Sequence, residues 1–195
     1  INVDTIGIGA LAKITDTTYD LDTKLNLLLS EYNDSALTFS DIPLNIELKA
    51  ISNADFNRYD IDTLSITSND IFVGASGLAE NLPDSSWNTD LIVGLDIPQI
   101  DNVLEMIPKS LVAGLKKYRI SGAVNFNGTA KGTYKDDIYP NIDASLVLND
   151  IRAIVLEQNA EVKLNMETNL KYNSEKIAES YIDVKQLNAT VGETY

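Results

Sequence analysis

Tyr19-Asp20-Leu21-Asp22-Thr23-Lys24-Leu25-Asn26-Leu27 is the stretch that decides the fold class. Tyr19, Leu21, Thr23, Leu25 and Leu27 fall on one side of an extended chain, and Asp20, Asp22, Lys24 and Asn26 on the other. A period of two marks a β-strand with one apolar and one solvated face. The pattern recurs outward in both directions. Leu44, Ile46 and Leu48 alternate with Asn45, Glu47 and Lys49. Ile71, Val73 and Ala75 follow, then Trp87, Thr89, Leu91, Val93 and Leu95. Further on come Ile120, Val124 and Phe126, then Ile142, Ala144, Leu146 and Leu148, then Ile151, Ala153 and Val155. Val162, Leu164 and Met166, Ile182 and Val184, and Leu187, Ala189 and Val191 complete the series.

Between Tyr59-Ile61 and Leu64-Ile66 the apolar parity changes from odd to even. A bulge or twist at that point would keep both pairs on one face. Turn chemistry separates the runs, at Asn33-Asp34-Ser35, Ser52 to Asp55, Ser68-Asn69-Asp70, Pro83-Asp84-Ser85, Asn127-Gly128, Asp136-Asp137 and Asn173-Ser174. One segment departs from the period. Ile100, Val103, Leu104 and Ile107 sit at helical spacing, with Pro108 as a stop. A second short turn is expected from Ser110 through Leu115, closed by Lys116 and Lys117. The expected fold is therefore mainly β: long antiparallel strands in a curved, repetitive sheet or open groove, with one short helical segment near residues 100–116.

The halves on either side of the helix echo each other. Ala12-Lys13 followed by Leu21 to Leu27 matches Ala130-Lys131 followed by Ile142 to Leu148, and Ile61-Asp62-Thr63-Leu64 matches Ile182-Asp183-Val184-Lys185. The offset is 118 residues at Ala12/Ala130 and 121 at Leu25/Leu146 and Ile61/Ile182. This predicts a first β repeat over 1–117, ending in the helix, and a second, truncated one over 118–195, together one continuous unit. A chain that starts and stops inside such a pattern reads as a piece of a larger repetitive protein.

Composition narrows the function. The formal net charge is −14, so nucleic acid and anionic membrane surfaces are poor partners. Cysteine and histidine are absent, which removes thiolate chemistry and the commonest general base and metal ligand. Asp136, Asp137 and Asp143 offer oxygen ligands for Ca²⁺, but a solvated loop is the plainer reading. No nucleophile motif and no carboxylate pair across a cleft is nominated. Gly74, Gly77, Gly122, Gly128 and Gly132 lack the Lys-Ser or Lys-Thr that a phosphate loop needs. The expectation is no catalysis, no cofactor and no metal.

The order of parts resembles the AsmA-like family of bacterial envelope proteins. The likeness rests on Ile107-Pro108-Lys109-Ser110-Leu111, on Ser121 through Gly132, on Tyr139-Pro140-Asn141 leading into Ile142 to Leu146, and on the closing Ile182 to Leu187. None of these motifs is a catalytic signature. The first half looks like the preceding repeat. The resemblance implies a periplasmic β-rich body, an inner-membrane anchor outside these residues, and a role in outer-membrane assembly or lipid homeostasis.

On that reading an apolar β groove contacts lipid or a partner envelope protein. The candidate contact residues are Leu25, Leu27, Leu44, Ile46, Leu48, Leu91, Val93, Leu95, Val124, Phe126, Leu146, Leu148 and Leu164. The plainer reading of any one of them is ordinary core beneath a helix or second sheet. The alternative function is a secreted or surface β-sandwich that recognises glycan or protein, for which Trp87, Tyr134 and Tyr139 would form an exposed stacking platform.

Overall fold

A computed structural model describes residues 2–34, 37–106, 117–156 and 160–193. The strands are β1 (Asn2–Ile14), β2 (Thr18–Asp34), β3 (Leu37–Asn53), β4 (Arg58–Ser68), β5 (Ile71–Asn81), β6 (Trp87–Ile97), β7 (Tyr118–Tyr134), β8 (Asn141–Val155), β9 (Ala160–Tyr172) and β10 (Tyr181–Glu193). One helix, α1 (Ile100–Met106), follows β6, and a 3-10 turn (Ile177–Glu179) precedes β10. All ten strands form one antiparallel sheet in sequence order. It is open: β1 pairs only with β2, and β10 only with β9. The expected mainly-β class with long antiparallel strands is what forms. The sandwich alternative called for two stacked sheets, and the described strands make one.

Alternation sets the register. Leu25 stands opposite Ile8 on β1 and Ile46 on β3, so like faces meet from strand to strand. The parity change in β4 is absorbed by a bulge: the ladder slips between Ile61 and Leu64, which keeps Ile61, Leu64 and Ile66 on one face. A second bulge lies between β7 and β8, where Gly122 has φ 120° and Asp150 φ 49°. It carries Ile151, Ala153 and Val155 onto the face of Leu146 and Leu148 within a single strand. A third follows Val184 in β10, before Leu187.

Asn127-Gly128, expected as a turn, lies inside β7 instead. Its reason is packing. Phe126 lies along the strand so that a Cβ on Gly128 would meet the ring at 3.1 Å and the Ala144 methyl at 3.2 Å. A larger residue there would crowd the ring, and that packing outweighs the local turn preference. The other turn sites lie at strand ends, with Asn69, Ser85 and Asp136 at positive φ.

β2, β3 and β7 run for 17 residues, whereas β4, β5 and β6 run for 11. The long hairpins therefore overhang the short strands at one end. There α1 contacts β7 and β3, which flank the short strands on either side. Ile107, Pro108 and the second helical turn fall outside the described residues.

Among the described residues there is no dry interior. The accessible surface is 12637 Å², against about 9,100 Å² for a compact chain of this mass. Among the described residues Ala144 is the one buried apolar side chain, at 5% exposure, and no large apolar side chain is buried. Burial here comes from lateral neighbours within one layer.

Candidate functional site

Cross-strand register assembles the site. Ile8 pairs with Leu25, Leu25 with Ile46, Ile46 with Ile66, and Ile66 with Val73. Val73 continues to Leu95, Leu95 to Phe126, and Phe126 to Leu146. Thr168 and Val184 finish the row. One line of side chains, apolar but for a threonine, thus crosses all ten strands.

Parallel rows flank it. On one side Thr23, Leu48, Leu64, Ala75, Val93, Gly128, Ala144 and Leu170 stand in line, and beyond them Leu21, Ala50, Ile61, Gly77, Leu91, Ala130 and Ile142. On the other side Leu27 meets Leu44, and Ile97, Val124, Leu148 and Met166 stand in line. None of these positions carries a charge. At about 4.8 Å per strand and 6.7 Å per pair of residues, the uncharged strip measures roughly 43 Å across the strands and 20 Å along them. That exceeds the few hundred Å² of apolar patch that a soluble surface ordinarily shows.

Every sequence-nominated contact residue lies on this face. Leu25, Ile46, Leu95, Phe126 and Leu146 stand in the central row; Leu48 and Val93 stand in the next, and Leu91 in the one beyond. Leu27, Leu44, Val124 and Leu148 line the opposite flank. Leu164 pairs with Ile151 past the β8 bulge. All are half-buried. Sequence reading left out Ile66 and Val73, which remain 40% and 43% exposed in the middle of the strip. Their alternation was visible, so the same signal would have found them. Among the described residues no second sheet covers the face.

An aromatic fringe closes the strip at the end where Tyr19 and Trp87 lie. Tyr19 stacks on Phe56 at 4.6 Å, Tyr59 on Trp87 at 6.4 Å, and Tyr134 tilts against Tyr139 at 5.8 Å. The Tyr59 hydroxyl donates to the Phe56 carbonyl at 2.7 Å. Trp87 is half-buried and engaged with Tyr59, so it is not a free platform for a sugar ring.

The opposite face carries the charges, cross-linked by ion pairs, and among them Ile51, Phe72 and Ile92 are also exposed. Glu47 accepts from Lys24 at 3.2 Å and Lys49 at 3.4 Å; the Lys24 ammonium, above all, holds its carboxyl below the usual range. Glu161 is held low chiefly by Arg152, with Lys163 adding to it. Asp84 accepts from Lys135 at 2.8 Å and from the Ser86 hydroxyl at 2.5 Å, and both drive its pKa well down. These contacts are solvent-screened and tune the surface more than they hold the fold.

This face also carries two depressions. One, of about 750 Å³, is lined by Asp20, Asp22, Lys49, Asp60, Asp62 and Asp90 around the β4 bulge. The other, of about 330 Å³, lies beside Phe72, Gly74, Ile92 and Asn127. Both are lined mainly by residues of this face, and the smaller also touches Val93, one of the nominated residues. Among the described residues no three acidic side chains gather closely enough to hold a metal ion. Asp136 and Asp137 are exposed in the β7–β8 turn.

Comparison with family models, with curated proteins and with solved structures returned no match. Among the described residues no helix is long and apolar enough to cross a membrane.

Proposed function

We propose that this chain is a non-enzymatic, periplasmic part of an AsmA-like envelope protein, and that its apolar sheet face contacts lipid acyl chains or a partner protein. The observation that carries the contact is the uncharged strip crossing all ten strands with no second sheet over it among the described residues. Acyl chains ask for no hydrogen bonds, and each methylene taken from water contributes about 0.8 kcal/mol. The strip supplies that contact. The polar face, with its carboxylates and ion pairs, keeps the other side of the sheet in water. The envelope setting, the anchor outside these residues and the role in outer-membrane assembly or lipid homeostasis rest on the sequence resemblance.

The test is titration with a fluorescent fatty acid, together with mass spectrometry of lipid co-purified with the chain. Val93→Asp and Leu95→Asp, which put a charge in the strip, should each weaken binding by about tenfold or more. Lys163→Gln, on the polar face, should leave binding unchanged. Absence of both co-purified lipid and fatty-acid binding would overturn the lipid reading.

A further inference from the structure

The two ends of the uncharged strip differ in chemistry. At one end the apolar face presents Tyr19 on β2, Tyr59 on β4, Trp87 on β6, Tyr134 on β7 and Tyr172 on β9. At the other end the same face presents Ile71, Ile97, Ile120 and Val155, with Tyr118 the one aromatic there among the described residues. That is also the end where α1 contacts β3 and β7. A ring with a polar tip settles where hydrocarbon gives way to water, which is why Tyr and Trp gather at the level of lipid headgroups. The fringe also holds unused donors. The Tyr59 hydroxyl donates to the Phe56 carbonyl, but among the described residues the hydroxyls of Tyr19, Tyr134 and Tyr172 and the indole N–H of Trp87 donate to no protein group. Arg58, Lys135 and Lys176, in or beside the turns at this end, are paired with Asp60, Asp84 and Glu179. Asp16, Asp55, Asp136 and Asp137 stand exposed in those turns.

Resting on the lipid reading above, we infer that this fringe is the headgroup end of the strip. A zwitterionic phospholipid lies with its acyl chains along the strands, its phosphate among the tyrosine hydroxyls and its ammonium toward the turn carboxylates. The strip runs roughly 20 Å along the strands. The chains of one leaflet, half of a hydrocarbon core of about 30 Å, span about 15 Å, so a chain laid along the strands fits. The phosphodiester and ester oxygens accept hydrogen bonds, which the hydroxyls and the indole donate. The ammonium also gains from the ring faces, whereas a net anionic head would meet the exposed carboxylates. The competing arrangement puts the head at the α1 end, where the Lys117 ammonium stands 5.2 Å from the centre of the Tyr118 ring. That arrangement would favour a net anionic head instead.

Two photolabels separate the arrangements. One phosphatidylcholine carries a diazirine at the glycerol end of an acyl chain, the other at the chain terminus. Each is photolysed with the 195-residue chain and the adducts are mapped by peptide mass spectrometry. The first should mark Tyr19, Tyr59, Trp87 and Tyr134, and the second Ile97, Val124 and Leu148. Tyr19→Phe combined with Tyr134→Phe keeps both rings and removes two donors. It should weaken phosphatidylcholine binding by about tenfold and keep the far-UV circular dichroism of the parent. Phosphatidylglycerol with the same chains should bind several-fold more weakly than phosphatidylcholine. The reversed label pattern, the same pattern from both labels, an unaltered affinity in the double variant, or tighter binding of phosphatidylglycerol would each overturn the orientation and leave the lipid reading standing. No adducts and no binding with either lipid would overturn the lipid reading itself, and this inference with it.

Discussion

β8 and β1 are both strands of alternating apolar residues in the same sheet, yet they live in different environments. In β8, Ala144 is 5% exposed, with Gly128 opposite it and the Phe126 ring close to both. In β1, Ile8 is 71% exposed although its sequence is no less apolar. The difference teaches that burial in a single-layer sheet is lateral. A residue is covered by the strands beside it, so stability should be graded from the centre outward and not concentrated in a core.

Substitutions along that gradient should break or sharpen the contrast. Of the substitutions considered, the largest effect is expected at Gly122, in the β7 bulge. Its φ is 120°, and a Cβ would come within 2.7 Å of the Asp150 carbonyl oxygen and the Ile151 Cα. Gly122→Ala should cost about 3 kcal/mol in urea unfolding, from backbone strain and overlap together. Ala144→Leu comes next, at about 2 kcal/mol, because the added carbons have to displace Phe126. Ile8→Ser on the β1 edge should stay within about 0.5 kcal/mol. Equal losses at Ala144 and Ile8 would show that both strands sit in one shared core, contrary to the single-layer arrangement.

The smallest effect is electrostatic. Asp84 in the β5–β6 turn is paired with Lys135 just beyond β7, and its pKa is depressed. A depressed carboxylate contributes stability above its unfolded pKa of about 3.9 and loses it as pH falls through the lower folded value. Asp84→Asn should therefore lower the urea midpoint slightly at pH 7, and the gap to the parent chain should close below about pH 4. A gap that persists unchanged into acid would mean that the ion pair is not its source.

Much of this was legible from residue alternation alone. The parity change between Ile61 and Leu64 is the sequence mark of the β4 bulge. The shared face of Leu25, Ile46, Leu95, Phe126 and Leu146 follows from period two, provided the register holds from strand to strand. Ala12 pairs with Leu21 as Ala130 pairs with Ile142. Other features were not legible, for physical reasons. Asn127-Gly128 carries a strong turn preference, and only the ring of Phe126 reveals why a glycine is needed in mid-strand. Leu27-Leu28-Leu29 breaks the alternation, which hides the extension of β2 to Asp34. The depression around Asp20, Asp60 and Asp90 joins five strands, β2 to β6, around the β4 bulge, a juxtaposition that no local pattern encodes. Alternation also says which side of a strand is apolar, but not whether another layer lies on it.

The central claim is that the uncharged strip is the surface that meets acyl chains. A diazirine-bearing fatty acid, photolysed with the purified chain and mapped by peptide mass spectrometry, tests it most directly. The account predicts adducts on the apolar face, concentrated among Ile66, Val73, Leu95, Phe126 and Leu146. Adducts confined to the polar face around Asp20, Asp60 and Asp90, or no adducts at all, would contradict it.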